Sequence, residues 1–226
     1  MTSRSSDKDH AKWLFRLVVP LFDSNLITSL TLLWRLGRLM IAHKSHEGMY
    51  EVLDYRSELE LKDKDGRNAV LKKHQKVRFL QDNIIAYEDK AWGDGEIFED
   101  YKCSPGVMVD RYQDGHRFRI LISLRETKQR GDVEAFDIER TIKNGFTKDT
   151  EYFQTDVDHT TRHVSVSIVF PKHRIPSQVL LIERNSTRTQ HLGPEHMKML
   201  PGGRYQVSWS TDKPRLFEAY ILRWEW

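Results

Sequence analysis

Ten histidines are the residues of this chain most suited to binding a metal ion. Three pairs lie three to five residues apart, namely His43 and His46, His159 and His163, and His191 and His196. That spacing suits a helix, but most of these pairs fall in sequence typical of turns or strands, and a single cysteine is present to complete a zinc set. We therefore expect no metal site and no bound cofactor, and we interpret the histidines as solvated loop residues.

Carboxylates are concentrated in the segment YEDKAWGDGEIFED, residues 87–100, around Gly93 and Gly95. Calcium binding would require oxygen ligands at the fixed positions of an EF-hand loop, which ends in a bidentate glutamate, and that spacing is missing here. We therefore predict a structured surface loop that is held in place by Trp92 and Phe98.

Cys103 is the candidate nucleophile, with His116 the nearest histidine along the chain. Nothing in YKCSPG indicates a lowered thiol pKa, because Pro105 argues against a helix that would begin at the cysteine. The chain also contains no serine in a G-x-S-x-G turn and no glycine-rich phosphate loop. An enzyme is therefore not our first expectation, and a hydrolase whose site the sequence does not locate remains the third hypothesis.

Outward-pointing arginines on one predicted strand are the strongest indication of nucleic-acid binding. In HRFRILISLRETKQR, alternation turns the apolar residues to one face and Arg117, Arg119 and Arg125 to the other, with Lys128 and Arg130 in the loop that follows. A basic sheet face can follow a phosphate backbone. However, no aromatic residues interleave with these arginines, and the net charge is only +3, from 36 basic and 33 acidic residues. Nucleic-acid binding is therefore the second hypothesis.

Period-two alternation and turn sequences dominate the chain from Met49 onward. About ten short segments of this kind, without long helical runs between them, favour an antiparallel β-sandwich or barrel over a parallel sheet with crossover helices. The predicted strands are 50–61, 69–80, 107–112, 116–125, 133–142, 151–157, 162–170, 178–184, 204–210 and 216–226. One helical turn is expected at 194–199. We therefore predict a mainly β fold, with residues 49–226 as an all-β domain.

The first two predicted strands form a hairpin whose register follows from the parity of their apolar residues. A three-residue loop that ends at Gly66 would place Leu59 opposite Leu71 and Leu53 opposite Val77, whereas a two-residue loop would mix the two faces. The same register places Glu58 opposite Lys72 and Asp54 opposite Lys76, and it requires a left-handed backbone at Gly66.

The N-terminal zone differs from the rest of the chain because its apolar residues follow a helical period. After a polar, flexible start at 1–10, residues 11–48 are predicted to form a helical hairpin, with helices at 8–22 and 24–42. The second helix has a wider apolar arc than a surface helix normally carries, and Pro20, Asp23, Ser24 and Asn25 interrupt any membrane span. The helices could cover the sheet, lie in a membrane interface or pack against another subunit.

The wide apolar arc of the second helix is the basis of our first functional hypothesis, that the protein is a non-catalytic binding or regulatory module. It would dock on a protein partner, or on a second copy of itself, through its N-terminal helices. The candidate contact residues are Trp13, Leu30, Leu33, Trp34, Leu36, Leu39 and Met40. Because the chain has one cysteine and residues 1–10 lack the pattern of a secretory signal, we expect a cytoplasmic protein, with a location peripheral to a membrane as the alternative.

Overall fold

A computed structural model of the chain describes residues 48–226. These residues belong to one compact unit. The expected polar start and all but the last residue of the expected helical segment lie outside the described residues. The seven candidate contact residues of the docking hypothesis, Trp13 to Met40, lie outside them as well.

The described region is mainly β, as the alternation predicts, and its strands are connected by turns and short loops. The strands are β1 (Tyr50–Leu61), β2 (Asn68–Phe79), β3 (Ile84–Ala91), β4 (Tyr101–Ser104), β5 (Val107–Asp114), β6 (Arg117–Lys128), β7 (Val133–Lys143), β8 (Thr150–Asp156), β9 (Val164–Phe170), β10 (Gln178–Glu183), β11 (Arg188–His191), β12 (Met197–Met199), β13 (Tyr205–Thr211) and β14 (Ala219–Glu225). Within residues 48–226 the only helix is a 3-10 turn at Pro194–His196, where one helical turn is expected. No helix in this range has the length and apolar character needed to cross a membrane.

The strands form three sheets. The largest has the order β12-β13-β9-β1-β2-β7-β4, the second has the order β11-β10-β14-β8, and the third has the order β3-β6-β5. All neighbouring strands are antiparallel except β1 and β9, which run parallel, with Tyr55 beside Val164 and Leu59 beside Ile168. The largest sheet is therefore mixed, which differs from the fully antiparallel arrangement that the sequence predicts.

The β1–β2 hairpin has the predicted register over most of its length. Leu59 lies opposite Leu71 and Glu58 opposite Lys72, and Gly66 has a φ of 67°. The connection is longer than the predicted three residues, because β1 ends at Leu61 and β2 begins at Asn68. The Asp63 carboxylate shapes this loop by accepting hydrogen bonds from the backbone N–H groups of Asp65 and Arg67 in the loop and of Asn68 at the start of β2.

The predicted pairing of Leu53 with Val77 is wrong, because a bulge at Leu53 places Val52 opposite Val77 instead. A bulge inserts one residue and shifts the alternation of side chains by one position. Consequently Val52 is buried whereas Leu53 is only half-buried. Asp54 lies opposite Lys76 as predicted, but its carboxylate forms an ion pair with Arg56, at 2.8 Å.

One hydrophobic core joins the three sheets. Its largest fully buried side chains include Trp224, Tyr87, Phe79, Phe136 and Phe170. In β14, Tyr220, Leu222 and Trp224 are buried on one face. The strand begins later than the predicted 216–226, at Ala219, and Leu216 before it is 39% exposed.

Four strands are absent from the prediction, namely β3, β4, β11 and β12. Two of these matter for the site described below. β3 contains the first residues of the segment that we expect to be a surface loop, and β4 begins directly after that segment. The expectation of a surface loop is therefore wrong for residues 87–91, which belong to β3 and of which Tyr87 and Asp89 are buried inside the domain.

Candidate functional site

A layer of polar side chains crosses the apolar core where the three sheets meet. The residues point inward because they occupy the same alternation phase as the apolar residues beside them. Lys73 follows Leu71 in β2, Asp89 follows Tyr87 in β3, and Arg140 lies between Ile138 and Ile142 in β7. Asp89 and Arg140 are only 3% and 7% exposed, and the Lys73 side chain is 11% exposed.

Asp89 is the centre of a hydrogen-bond network in this layer. One of its oxygens, Oδ1, accepts from the Lys73 ammonium and from the Lys90 backbone N–H. The other, Oδ2, accepts from the Tyr101 hydroxyl at 3.0 Å. A buried carboxylate needs such donors because it loses its hydration on folding. Asp89 is therefore paired and hydrogen-bonded on both oxygens.

Arg140 lacks this compensation. Its Nε and Nη1 atoms are buried and have no hydrogen-bond partner among the described residues, and its guanidinium carbon lies 5.9 Å from the centre of the Phe98 ring. Burial lowers the pKa of Arg140 to about 10, while the hydroxyls of Tyr55 and Tyr101 act in the opposite direction. At neutral pH the side chain is nevertheless a cation.

Lys73 is the second cation of the layer. Burial, together with the positive charges of Arg140 and Lys90, lowers its pKa to about 7. The Asp89 carboxylate favours its charged form. Burial also raises the pKa of the Tyr101 hydroxyl above its ordinary value, so this tyrosine stays neutral and donates a hydrogen bond to Asp89.

A cavity of about 250 Å³ opens beside this layer. The seven-stranded sheet contributes Lys73 and Arg140 to its wall, the three-stranded sheet contributes Asp89, and the four-stranded sheet contributes Glu151. The apolar part of the wall consists of Leu71, Ile97, Ile138, Ile142, Phe146 and Phe153. His116 and Tyr152 are exposed and Trp92 is half-buried, so these three residues mark the open side of the cavity.

The arginines proposed for nucleic-acid binding are largely occupied by acidic neighbours. Arg117 Nη2 donates to Asp156 at 2.7 Å, and the same guanidinium lies 5.1 Å from the centre of the Trp92 ring. Arg119 donates to Glu88 at 2.9 Å and to Asp114 at 2.8 Å. A phosphate backbone would have to compete with these carboxylates for both arginines.

The other three residues proposed for nucleic-acid binding differ in whether they have an acidic partner. Lys128 forms an ion pair with Glu134, at 2.7 Å. Arg125 and Arg130 are exposed, and only the backbone N–H of Arg130 is engaged, by Asp82. The five basic residues therefore do not form one free basic surface, and nucleic-acid binding stays a prediction that no contact in the described region supports.

The histidines of the described region are dispersed. His74 contacts Asp137 and His163 contacts Asp212, and no group of three or more potential metal ligands occurs within residues 48–226. In Cys103, burial raises the thiol pKa, and its Sγ donates to the Gly106 carbonyl at 3.9 Å. A thiol with a raised pKa is a poor nucleophile at neutral pH.

Sequence reasoning missed the polar layer, although two of its members carry a signal. Lys73 and Arg140 occupy inward positions of otherwise regular alternating strands, so a charged residue falls where an apolar one is expected. Asp89 gives no such signal, because a bulge between Ile84 and Ala86 interrupts the alternation of β3.

Comparison with known proteins gives little information about this site. No protein-family model and no curated protein matches the chain. Among solved structures, the chain is similar to an M1 zinc metallopeptidase from Deinococcus radiodurans, with 9% sequence identity and a TM-score of 0.46. The match covers 76% of this chain and 42% of the metallopeptidase. A likeness of this strength carries no argument about function.

Proposed function

We propose that the protein is a non-catalytic binding module and that the cavity between the three sheets is its ligand site. The observation that carries this proposal is the buried guanidinium of Arg140, which lies on the cavity wall with Nε and Nη1 unpaired among the described residues. A largely apolar pocket with a few convergent polar groups is the usual form of a small-molecule site. Such sites commonly measure about 300–1,000 Å³, so this cavity suits a small ligand.

The proposal is tested by observing Trp92 while small compounds are added. Its indole N–H signal, assigned with Trp92→Phe, is recorded by NMR as the protein is titrated with phenylacetate and with its neutral counterpart phenylacetamide. We expect at least one of the two to shift this signal in a saturable manner, because Trp92 lies at the open side of the cavity.

A cavity-filling variant tests whether the compounds bind inside the cavity. Ile142 is 4% exposed and lines the cavity, so Ile142→Phe should occupy part of the volume and weaken binding. Ile221 is also buried, at 7%, and does not line the cavity, so Ile221→Val should leave binding unchanged. If neither compound perturbs Trp92, or if Ile142→Phe binds as well as the wild type, the cavity is not a ligand site.

A second candidate activity is docking through the N-terminal segment, to a protein partner or to a second copy of the chain. The wide apolar arc of the predicted helix at 24–42 supports it, because such a helix has more apolar surface than contact on one side buries. This proposal takes the N-terminal segment to be the predicted helical hairpin and the described sheets to pack as in a β-sandwich. It places the protein in the cytoplasm, with peripheral membrane binding as the alternative.

Deletion of residues 1–45 tests docking, because residues 47–226 form a compact unit of their own. Light scattering should report an oligomer, or a complex with a captured partner, for the full chain and a monomer for the deleted chain. Flotation with anionic liposomes separates the membrane alternative. A full chain that is monomeric, that captures no partner and that does not bind liposomes would contradict docking.

A further inference from the structure

The carboxylate that could neutralise Arg140 is already engaged. Asp89 pairs with Lys73 and also accepts hydrogen bonds from Tyr101 and from the backbone N–H of Lys90. When Lys73 is protonated, the Lys73–Asp89 pair has no net charge, and Arg140, which is 7% exposed, remains as a cation without a carboxylate partner among the described residues. A buried charge without a partner is strongly unfavourable. An anion placed against Arg140 would remove this cost.

The remaining charged groups on the cavity wall interact with residues away from the polar layer. Lys90 donates to Asp158 at 2.8 Å, and Asp94 forms an ion pair with Lys148. Asp94 is therefore not free to neutralise Arg140, and Lys90, itself a cation, cannot do so.

Glu151 limits how much negative charge the cavity accepts. It is 4% exposed, and its Oε1 accepts a hydrogen bond from the Lys148 backbone N–H at 2.7 Å. Because Asp89 and Glu151 both line the cavity, a second negative charge on a ligand would be repelled. The charge distribution favours a monoanion over a dianion such as a phosphate monoester.

We propose that the cavity binds a small organic monocarboxylate, with its carboxylate on Arg140 and its apolar body against the aromatic and aliphatic wall. This inference rests on the proposed function, in which the cavity is a ligand site. Arginine suits the role because it stays charged when buried and presents several N–H donors to a carboxylate. The Lys73–Asp89 pair beside it is fixed by its own hydrogen bonds and holds the polar end of the cavity in place.

The cavity volume restricts the size of the ligand. About 250 Å³ corresponds to about eight water molecules at about 30 Å³ each. Phe146 and Phe153 form part of the apolar wall, and flat or branched apolar groups pack well against such rings. Benzoate, phenylacetate and 4-methylpentanoate combine this size with a single negative charge, whereas a long-chain fatty acid exceeds it.

Matched acids and amides test the charge preference. Benzoate, phenylacetate and 4-methylpentanoate are each compared with the corresponding primary amide by calorimetry and by the Trp92 indole signal. We expect each acid that binds to do so about 10- to 100-fold more tightly than its amide, because a hydrogen-bonded charged group contributes that much to affinity. Phenyl phosphate should bind more weakly than phenylacetate.

Substitution of Arg140 tests whether this residue causes the preference for acids over amides. Arg140→Met should remove it, so that phenylacetate and phenylacetamide bind equally, whereas Arg140→Lys should retain part of it. Arg125→Met is the matched control, because it removes the same charge from an exposed position of β6. It should leave the preference unchanged.

The outcomes separate the two proposals. If no compound binds at about 10 mM, both the ligand site and the carboxylate preference are wrong. If acids and amides bind equally to the wild type, the ligand site stands and the inference fails. The inference also fails if folded Arg140→Met keeps the preference or if phenyl phosphate binds more tightly than phenylacetate. The comparison of acids with amides in the wild type decides the matter even if Arg140→Met does not fold.

Discussion

Two groups of basic residues in this protein show how differently the same side chains behave in the core and at the surface. On β6, Arg119 reaches two carboxylates and keeps a side chain that is 36% exposed. In the core, the single carboxylate of Asp89 binds Lys73 and two further donors, and Arg140 has no carboxylate partner among the described residues. The surface group is electrostatically satisfied and solvated, whereas the core group retains an uncompensated cation. The core group is therefore where ligand binding can gain the most.

The largest effect is expected when the core group loses its anion. Asp89→Asn leaves the buried Lys73 and Arg140 side chains without an anion beside them, so we expect the free energy of unfolding to fall by about 3–5 kcal/mol, as when one partner of a buried pair is removed. Urea denaturation measures the change. Asp114→Asn is the surface counterpart and should cost less than about 1 kcal/mol. Similar costs for the two variants would show that the core group is not special.

Removal of the uncompensated cation, Arg140, should instead raise the free energy of unfolding. Arg140→Met replaces a buried charge with an apolar side chain of similar length, so the ligand-free protein should become more stable by about 1–4 kcal/mol. The same urea experiment, without added carboxylate, tests this. A marked loss of stability would instead assign Arg140 a structural role within the core.

The dependence of stability on pH distinguishes the two groups further. Lys73 has a folded pKa of about 7 and an ordinary unfolded value near 10.4. Between these values the unfolded state binds more protons, so the free energy of unfolding should rise with pH, by at most about 1.4 kcal/mol per pH unit. Below pH 7 the cost of the charged lysine is fully present.

Urea denaturation at pH 7, 8 and 9 measures this rise, and Lys73→Gln should abolish it. The charged groups around Lys73 are Asp89, Lys90 and Arg140; Arg140, with a pKa of about 10, keeps most of its charge between pH 7 and 9. A flat profile for the wild type, or an equal rise in Lys73→Gln, would contradict the lowered pKa.

The smallest effects are expected on β6. Arg119→Met breaks two ion pairs that solvent screens, so it should cost at most about 1 kcal/mol and less at high salt. Arg125→Met, at an exposed position, should change stability by no more than about 0.5 kcal/mol. Binding of mixed DNA at low salt, measured on the same variants, tests the nucleic-acid hypothesis. Binding that Arg125→Met and Arg119→Met both weaken would restore that hypothesis.

Much of the fold follows from local patterns in the sequence. The ten predicted strands all occur, because alternation over six or more residues indicates a half-buried strand irrespective of its neighbours. The four strands that were missed are short or irregular: β4, β11 and β12 have three or four residues, and β3 contains a bulge. For such strands the pairing partner decides the conformation, and the partner is distant in sequence.

Which side of a strand each residue faces was harder to predict than where the strands lie. The β1–β2 register came from parity, but the bulge at Leu53 reversed the phase at one end of the hairpin, and no turn residue marks it. The parallel pairing of β1 with β9 joins residues more than one hundred positions apart. A local pattern contains no information about such a neighbour.

The sequence by itself determined that residues 49–226 are mainly β, where most strands lie and how the first hairpin pairs. All of these depend on side-chain alternation and turn chemistry within short segments. Only the tertiary structure decided that Lys73, Asp89 and Arg140, from three strands in two sheets, meet beside one cavity. Whether a charged side chain is satisfied depends on donors and acceptors that other strands supply. The outward arginines that the sequence emphasised proved to be largely paired, and the unpaired arginine lay in the core.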